Sequence, residues 1–296
     1  MRITMLGHSG VGKTTYMAAM YDQLQQPING FSLKADDNDD HRRLKALAKD
    51  LMRGIYPKPS DQRAEYDFAL HFEGEHVWPF VWVDYRGGAL TERSTSQQKM
   101  ELLSDLKRAD GVMLFYDAPA LVKGRVRSSE IGTMMTLTVQ ALQNSSQVKP
   151  VVILMTKADL LDDLNSDIIK PLEGLMEAIA ANQKVLATLI PVACGQERIN
   201  VELPVLFALR MGIMIRVTEL HQTIQRIRAE GQFWIDRGNT LGGFFGDLFN
   251  TVVGEKTTGD RAREIYRKAV IEAEKHDKLV DPANALNQYL DGLPVF

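Results

Sequence analysis

The sequence predicts an α/β fold: a mostly parallel six-stranded sheet layered between helices, followed by a helical C-terminal extension. Three observations carry that expectation. Short apolar runs alternate with segments of helical periodicity up to about residue 203. A glycine-rich loop separates the first apolar run from the first helical segment, which is how a βα unit opens. Beyond that point the strand signal stops, and Leu206, Leu209, Ile213, Val217, Leu220, Ile224 and Ile227 recur at three- and four-residue steps.

Taken in order, Ile3 to Leu6 is a short buried strand because turn residues follow it at once. Thr14 to Leu24 places Met17, Met20, Tyr21 and Leu24 at helical spacing. The acidic run Asp36 to Asp40 precedes Leu44, Leu47, Ala48 and Leu51, so it reads as the charged first turn of a helix rather than a metal site. Tyr66 to Phe72 and Val77 to Val83 form a hairpin through Glu73-Gly74-Glu75, giving the sheet one antiparallel strand. Gly111 to Tyr116, Val151 to Met155 and Val185 to Val192 are further strands, with helices near Ser96–Leu106, Ser128–Leu142 and Ile168–Ala181. One long amphipathic helix follows, then a glycine-rich apolar stretch from Gly238 to Gly254, then a polar helix from Thr258 to about Lys278.

Composition narrows the class without naming a chemistry. Hydrophobic residues are 45% and charged residues 25% of 296, which excludes wholesale disorder. The net charge of −3 recommends no nucleic-acid partner. A single cysteine, Cys194, excludes an intrachain disulfide and a multi-cysteine zinc site, and is expected to be an inert buried thiol. No apolar run approaches the roughly 18 residues of a membrane span, and the N-terminus lacks a signal-peptide pattern. A cytoplasmic protein is expected.

The run Gly7-His8-Ser9-Gly10-Val11-Gly12-Lys13-Thr14 matches G-x-x-x-x-G-K-[ST] and continues into Thr15. Its glycines let backbone N–H groups close on phosphate oxygens at the positive end of the following helix. Lys13 is expected to reach the β- and γ-phosphates, and the Thr14 hydroxyl to ligate Mg²⁺. His8 lies inside this loop, where side chains usually point outward. Downstream, Phe80 to Val83 leads into Asp84-Tyr85-Arg86-Gly87-Gly88. A carboxylate after a strand can hold Mg²⁺ through water, and the Gly87 N–H can meet the γ-phosphate.

The base is read from Thr156-Lys157-Ala158-Asp159, after the strand ending at Met155. One carboxylate, Asp159, can accept both the N1–H and the 2-amino group of guanine, whereas adenine offers it a lone pair. Lys157 can lay its aliphatic stem on the base plane.

These three motifs in this order resemble the Ras-like, translation-factor-related (TRAFAC-class) branch of P-loop GTPases. The resemblance covers residues 1 to about 230 and implies a three-layer α/β/α sandwich, with an insertion around 30–63 and an extension over 231–296. It also implies that Ala193 and Cys194, in Pro191-Val192-Ala193-Cys194-Gly195, contact the guanine carbonyl through their backbone. The family's serine in that loop is absent here. The stretch Gly54-Ile55-Tyr56-Pro57-Lys58-Pro59-Ser60, with the Gly-Lys-Thr-Thr-Tyr helix start, is similar to bacterial double-GTPase proteins of multi-gene conflict systems.

Two departures bear on activity. No threonine lies between Thr15 and Thr91 to ligate Mg²⁺ from a switch loop, which leaves Ser60 as the candidate. Gly88 stands where a water-orienting glutamine is common, so hydrolysis is expected to be slow. Arg86 has two readings, an internal arginine finger or a solvated or carboxylate-paired side chain. The resulting expectation is a GTP-binding switch that hydrolyses GTP slowly to GDP with Mg²⁺, acting on a protein effector or partner GTPase. The alternative is a nucleotide-loaded scaffold without useful turnover. Residues 240–253 offer Phe244, Phe245, Leu248, Phe249 and Val252 for docking or membrane contact, though packing on the domain is expected instead.

Overall fold

A computed structural model describes residues 1–58, 63–85, 96–142, 147–161, 169–238 and 258–296. The first strand, β1 (Arg2–Leu6), is followed by α1 (Lys13–Gln23), β2 (Phe31–Ala35) and α2 (Asn38–Leu51). The hairpin β3 (Ala64–Phe72) and β4 (Glu75–Asp84) comes next, then α3 (Ser96–Arg108), β5 (Gly111–Asp117), α4 (Ala118–Val122) and α5 (Ser128–Leu142). The series closes with β6 (Lys149–Thr156), α6 (Glu173–Ala180), β7 (Val185–Cys194), β8 (Arg198–Ile199), α7 (Leu203–Gly238) and α8 (Thr258–Tyr289).

The strands form one eight-stranded sheet in the order β2-β3-β4-β1-β5-β6-β7-β8. β4, β1, β5, β6 and β7 pair in parallel, while β2, β3 and β8 join antiparallel. All six expected strands form, and two short ones extend the sheet at its edges. β2 has only five residues and buries just Phe31 and Leu33, too brief an alternation to be read as a strand. β8 has two residues and exists as the return of a tight hairpin from β7.

β6 is buried along its whole length and β5 over six of seven residues, as parallel strands covered on both faces must be. On one face Tyr16 of α1 stacks on Trp82 of β4 and meets Phe115 of β5 edge-on, at centroid distances of 6.2 and 5.4 Å. The other face buries Leu102 and Leu106 of α3, Met134 of α5 and Leu175 and Ile179 of α6 against Leu114, Ile153 and Ala187. The acidic run caps α2 as expected: Asp37 accepts from the N–H groups of Asp39 and Asp40.

The chain divides into two compact units, Met1–Gly212 with Leu286–Phe296, and Ile213–Ala285. In the first, Phe296 exchanges two backbone hydrogen bonds of 2.9 Å with Ala187 of β7. Tyr289 donates to Glu202 at 2.7 Å. The second contains the larger parts of α7 and α8, with the rings of His221 and His276 5.8 Å apart. The last helix reaches Tyr289 rather than stopping near Lys278, and it runs through Pro282. Residues 240–253 lie outside the described residues, so the expected docking or packing role has no structural account.

Candidate nucleotide-binding site

Five parallel strands end on the same side, and the sequence places a motif at each end. β1 leads into the glycine loop, β4 ends at Asp84, β5 at Asp117, β6 at Thr156 and β7 at Cys194. The chain leaves β1 toward β4 on one side and β5 on the other, the switch point where open α/β sheets bind ligands. A cavity of about 490 Å³ opens there. Its walls hold Ser9 to Thr15 apart from Val11, then Tyr56 to Lys58, Tyr85, Thr156, Lys157, Asp159, Leu160, Cys194 and Gly195.

The loop after β1 requires its glycines. Gly10 and Gly12 have φ of 81° and 97°, in the left-handed region. A Cβ on Gly7 would lie 2.8 Å from the Phe115 Cβ and 3.0 Å from its carbonyl oxygen. Lys13 is 7% exposed, and its ammonium donates to the carbonyls of Gly7 at 2.7 Å and His8 at 3.1 Å. Burial pushes its pKa down to about 8, against a partial restoring pull from Asp84. Gly7, His8 and Val11 do not line the cavity. Burial also lowers the His8 pKa despite nearby Glu130, and its Nε2 is buried with no partner.

The Thr14 hydroxyl lies 3.4 Å from Asp84 Oδ2. Asp84 is 2% exposed; desolvation raises its pKa, opposed by Lys13 and Thr14. Its Oδ1 is buried without a hydrogen-bond partner. A buried, unpaired carboxylate oxygen beside a hydroxyl is an oxygen donor set that fits a hard divalent cation, which takes few protein ligands beside phosphate and water. Among the described residues no cluster of three histidine, cysteine or carboxylate groups forms a metal cage. The other expected contributors, Ser60, Arg86 and Gly87, with Gly88, lie outside the described residues.

At the opposite end, Thr156 ties the base motif to the phosphate loop. Its hydroxyl donates to Val11 O at 2.6 Å and also contacts Tyr116 O at 3.0 Å. Lys157 sits at φ 59°, an unfavourable conformation for a side-chain-bearing residue, and its ammonium pairs with Asp117 at 2.5 Å. Asp117 also caps α4 through the Ala120 N–H. Asp159 is exposed on the cavity wall. Cys194 borders the cavity as a buried thiol whose pKa is pushed up to about 12, mainly by desolvation, while Ala193 lies behind it, outside the lining.

Sequence reasoning missed the loop after α2 and the ion-pair partner of Lys157. Tyr56, with Pro57 and Lys58, reaches the cavity from the loop after α2, and a Cβ on Gly195 would lie 3.0 Å from the Tyr56 hydroxyl. Asp117 had no motif to mark it, although a carboxylate at the end of a buried strand is the same signal that singled out Asp84.

The fold and the cavity define a P-loop protein of the GTPase class. The chain belongs to the Double-GTPase 2 family, whose model matches residues 1–193. No curated protein matches it. Among solved structures it is similar to the signal recognition particle receptor SRb–GTP/SRX complex from Chaetomium thermophilum (16% identity, 67% of this chain and 98% of that one, TM-score 0.42). It is also similar to a bacterial selenocysteine-specific elongation factor, with 13% identity over 71% of this chain and 28% of that one, TM-score 0.39. A GTP-binding protein from Sulfolobus solfataricus in complex with GDP matches with 14% identity over 68% and 49% of the two chains, TM-score 0.37.

Proposed function

We propose that this chain binds guanine nucleotide with Mg²⁺ and hydrolyses GTP slowly, working as a switch whose state is read by a protein partner. The observation that carries the reading is the meeting of Lys13, Thr14, Thr156, Lys157 and Asp159 on one cavity wall. Loop N–H groups and Lys13 would hold the phosphates, and the Asp159 carboxylate would take the two adjacent donors of guanine. The backbone of Ala193 and Cys194 would face the base carbonyl. Thr14 and Asp84 would hold Mg²⁺, with Ser60 as an added hydroxyl; the ion would neutralise charge on the β- and γ-phosphates. Gly87 would present its N–H to the γ-phosphate and Arg86 would be a source of positive charge there.

A second reading, a nucleotide-loaded scaffold, is favoured by Gly88, which brings no side chain to orient water. Single-turnover hydrolysis of GTP with Mg²⁺ separates them. A rate above that of free GTP supports the switch, and a rate equal to it supports the scaffold. Among the described residues no helix is long and apolar enough to cross a membrane.

A further inference from the structure

The loop that would face the base carbonyl is held by very little sheet. β8 contributes two residues, pairing Arg198 with Cys194 and Ile199 with Ala193. Such a short return strand cannot fix a loop by its ladder alone. Beside the Asn200 amide, which donates to Pro191 O at 3.0 Å, the loop's tie to α1 is the Arg198 side chain, which is 15% exposed and reaches the end of that helix. Nη2 donates to Asp22 Oδ2 at 2.7 Å and Nη1 donates to Gln23 Oε1 at 3.1 Å. A planar guanidinium bridging two acceptors fixes orientation as well as distance.

Asp22 serves a second arm. Its Oδ1 accepts from Lys45 of α2 at 2.5 Å. Burial works against the charge of this carboxylate, yet Lys45 and Arg198 together hold its pKa below the usual range. The loop after α2 then returns to the hairpin: Gln196 Nε2 donates to Met52 O at 3.5 Å, and Tyr56 lies against Gly195. The contacts therefore close a ring from α1 through Arg198 to the β7–β8 turn, then through the Tyr56 loop and α2 back to Asp22. Of this ring, Tyr56, Cys194 and Gly195 line the cavity, whereas Asp22 and Arg198 do not.

We propose that Arg198, anchored on Asp22, is a positioning residue for guanine recognition, setting the Ala193–Gly195 loop against the carbonyl edge of the base. This rests on the guanine-nucleotide reading above. Hydrogen bonds from a backbone loop tolerate little displacement, so a loosened anchor is felt at that edge of the base and not at the others.

Three nucleotides separate the edges. Inosine diphosphate keeps the 6-carbonyl and lacks the 2-amino group. 2-Aminopurine riboside diphosphate keeps the amino group and lacks the carbonyl together with the N1–H, so each variant is compared with wild type on the same nucleotide. For the full chain, Arg198→Ala is expected to weaken GDP and inosine diphosphate by a similar factor, about tenfold, and 2-aminopurine riboside diphosphate by less than about threefold. Asp22→Ala should reproduce that pattern. Arg198→Lys, which keeps the charge without the two-pronged bridge, should fall between and supplies the test if the alanine variant does not fold. Equal losses for all three nucleotides, or no loss for GDP, would overturn the proposal. A wild-type chain that binds ADP as tightly as GDP would instead defeat the guanine reading on which it stands.

Discussion

Lys13 donates its ammonium protons to the carbonyls of Gly7 and His8, in a place too dry for the charge. Its pKa near 8, against an ordinary 10.5, means that the unfolded chain binds more protons than the folded one between those values. Stability of the nucleotide-free protein therefore rises with pH across that window, and the buried charge costs about 3 kcal/mol at neutral pH. A polyphosphate gives Lys13 anionic partners and raises its pKa again. Calorimetry at about pH 9, in buffers of different ionisation heat, should show GDP binding with uptake of about one proton. Lys13→Gln should remove both the uptake and tight binding; uptake that survives the substitution would assign the proton elsewhere. Lys13, Thr14 and Asp159 were legible in the sequence because each belongs to a short motif with fixed spacing. Tyr56 was not, because it reaches the cavity from an element far away in the chain, and Asp117 was not, because it acts only as the ion-pair partner of Lys157.

Between elements, the coupling of phosphate loop to base motif runs through one hydroxyl. Thr156→Val keeps the shape and deletes the one hydroxyl that donates to Val11 O and contacts Tyr116 O. A loss of about 1–3 kcal/mol is expected, read as a lowered urea midpoint with unchanged slope. An unchanged midpoint would show that the hydroxyl is not what ties the two segments. Gly7→Ala tests the close approach of the loop to β5, since its Cβ would meet Phe115 at 2.8 Å. It should cost about 1–3 kcal/mol and lower the melting temperature by several degrees, whereas a neutral effect would mean that the loop yields freely. The parallel strands were predictable because burial on both faces makes them continuous apolar runs. β2 and β8 escaped notice since edge strands are short and their pairing is set by tertiary neighbours.

At the scale of the whole molecule, residues 286–296 belong to the compact unit that holds the cavity, not to the one that contains most of α8. Leu286 and Leu290 are buried there, and Phe296 pairs with Ala187. Deleting 286–296 should therefore destabilise the nucleotide unit by about 3–6 kcal/mol from the two leucines alone. Thermal melting checks this, and an unchanged melting temperature would detach that segment from the unit. The same packing makes substitutions at Phe244, Phe245 and Phe249 better than truncation for testing vesicle binding by the apolar stretch. Net charge, −3, recommends no nucleic-acid partner, but a small polyanion responds to the local field, and Lys13, Lys58 and the phosphate loop line the cavity. The central claim is that Asp159 selects guanine, and its most direct measurement is equilibrium titration with GDP, ADP and XDP on wild type and Asp159→Asn. Wild type should favour GDP over ADP by at least about a hundredfold, and the variant should lose GDP while gaining XDP. Equal affinity of wild type for GDP and ADP would contradict it.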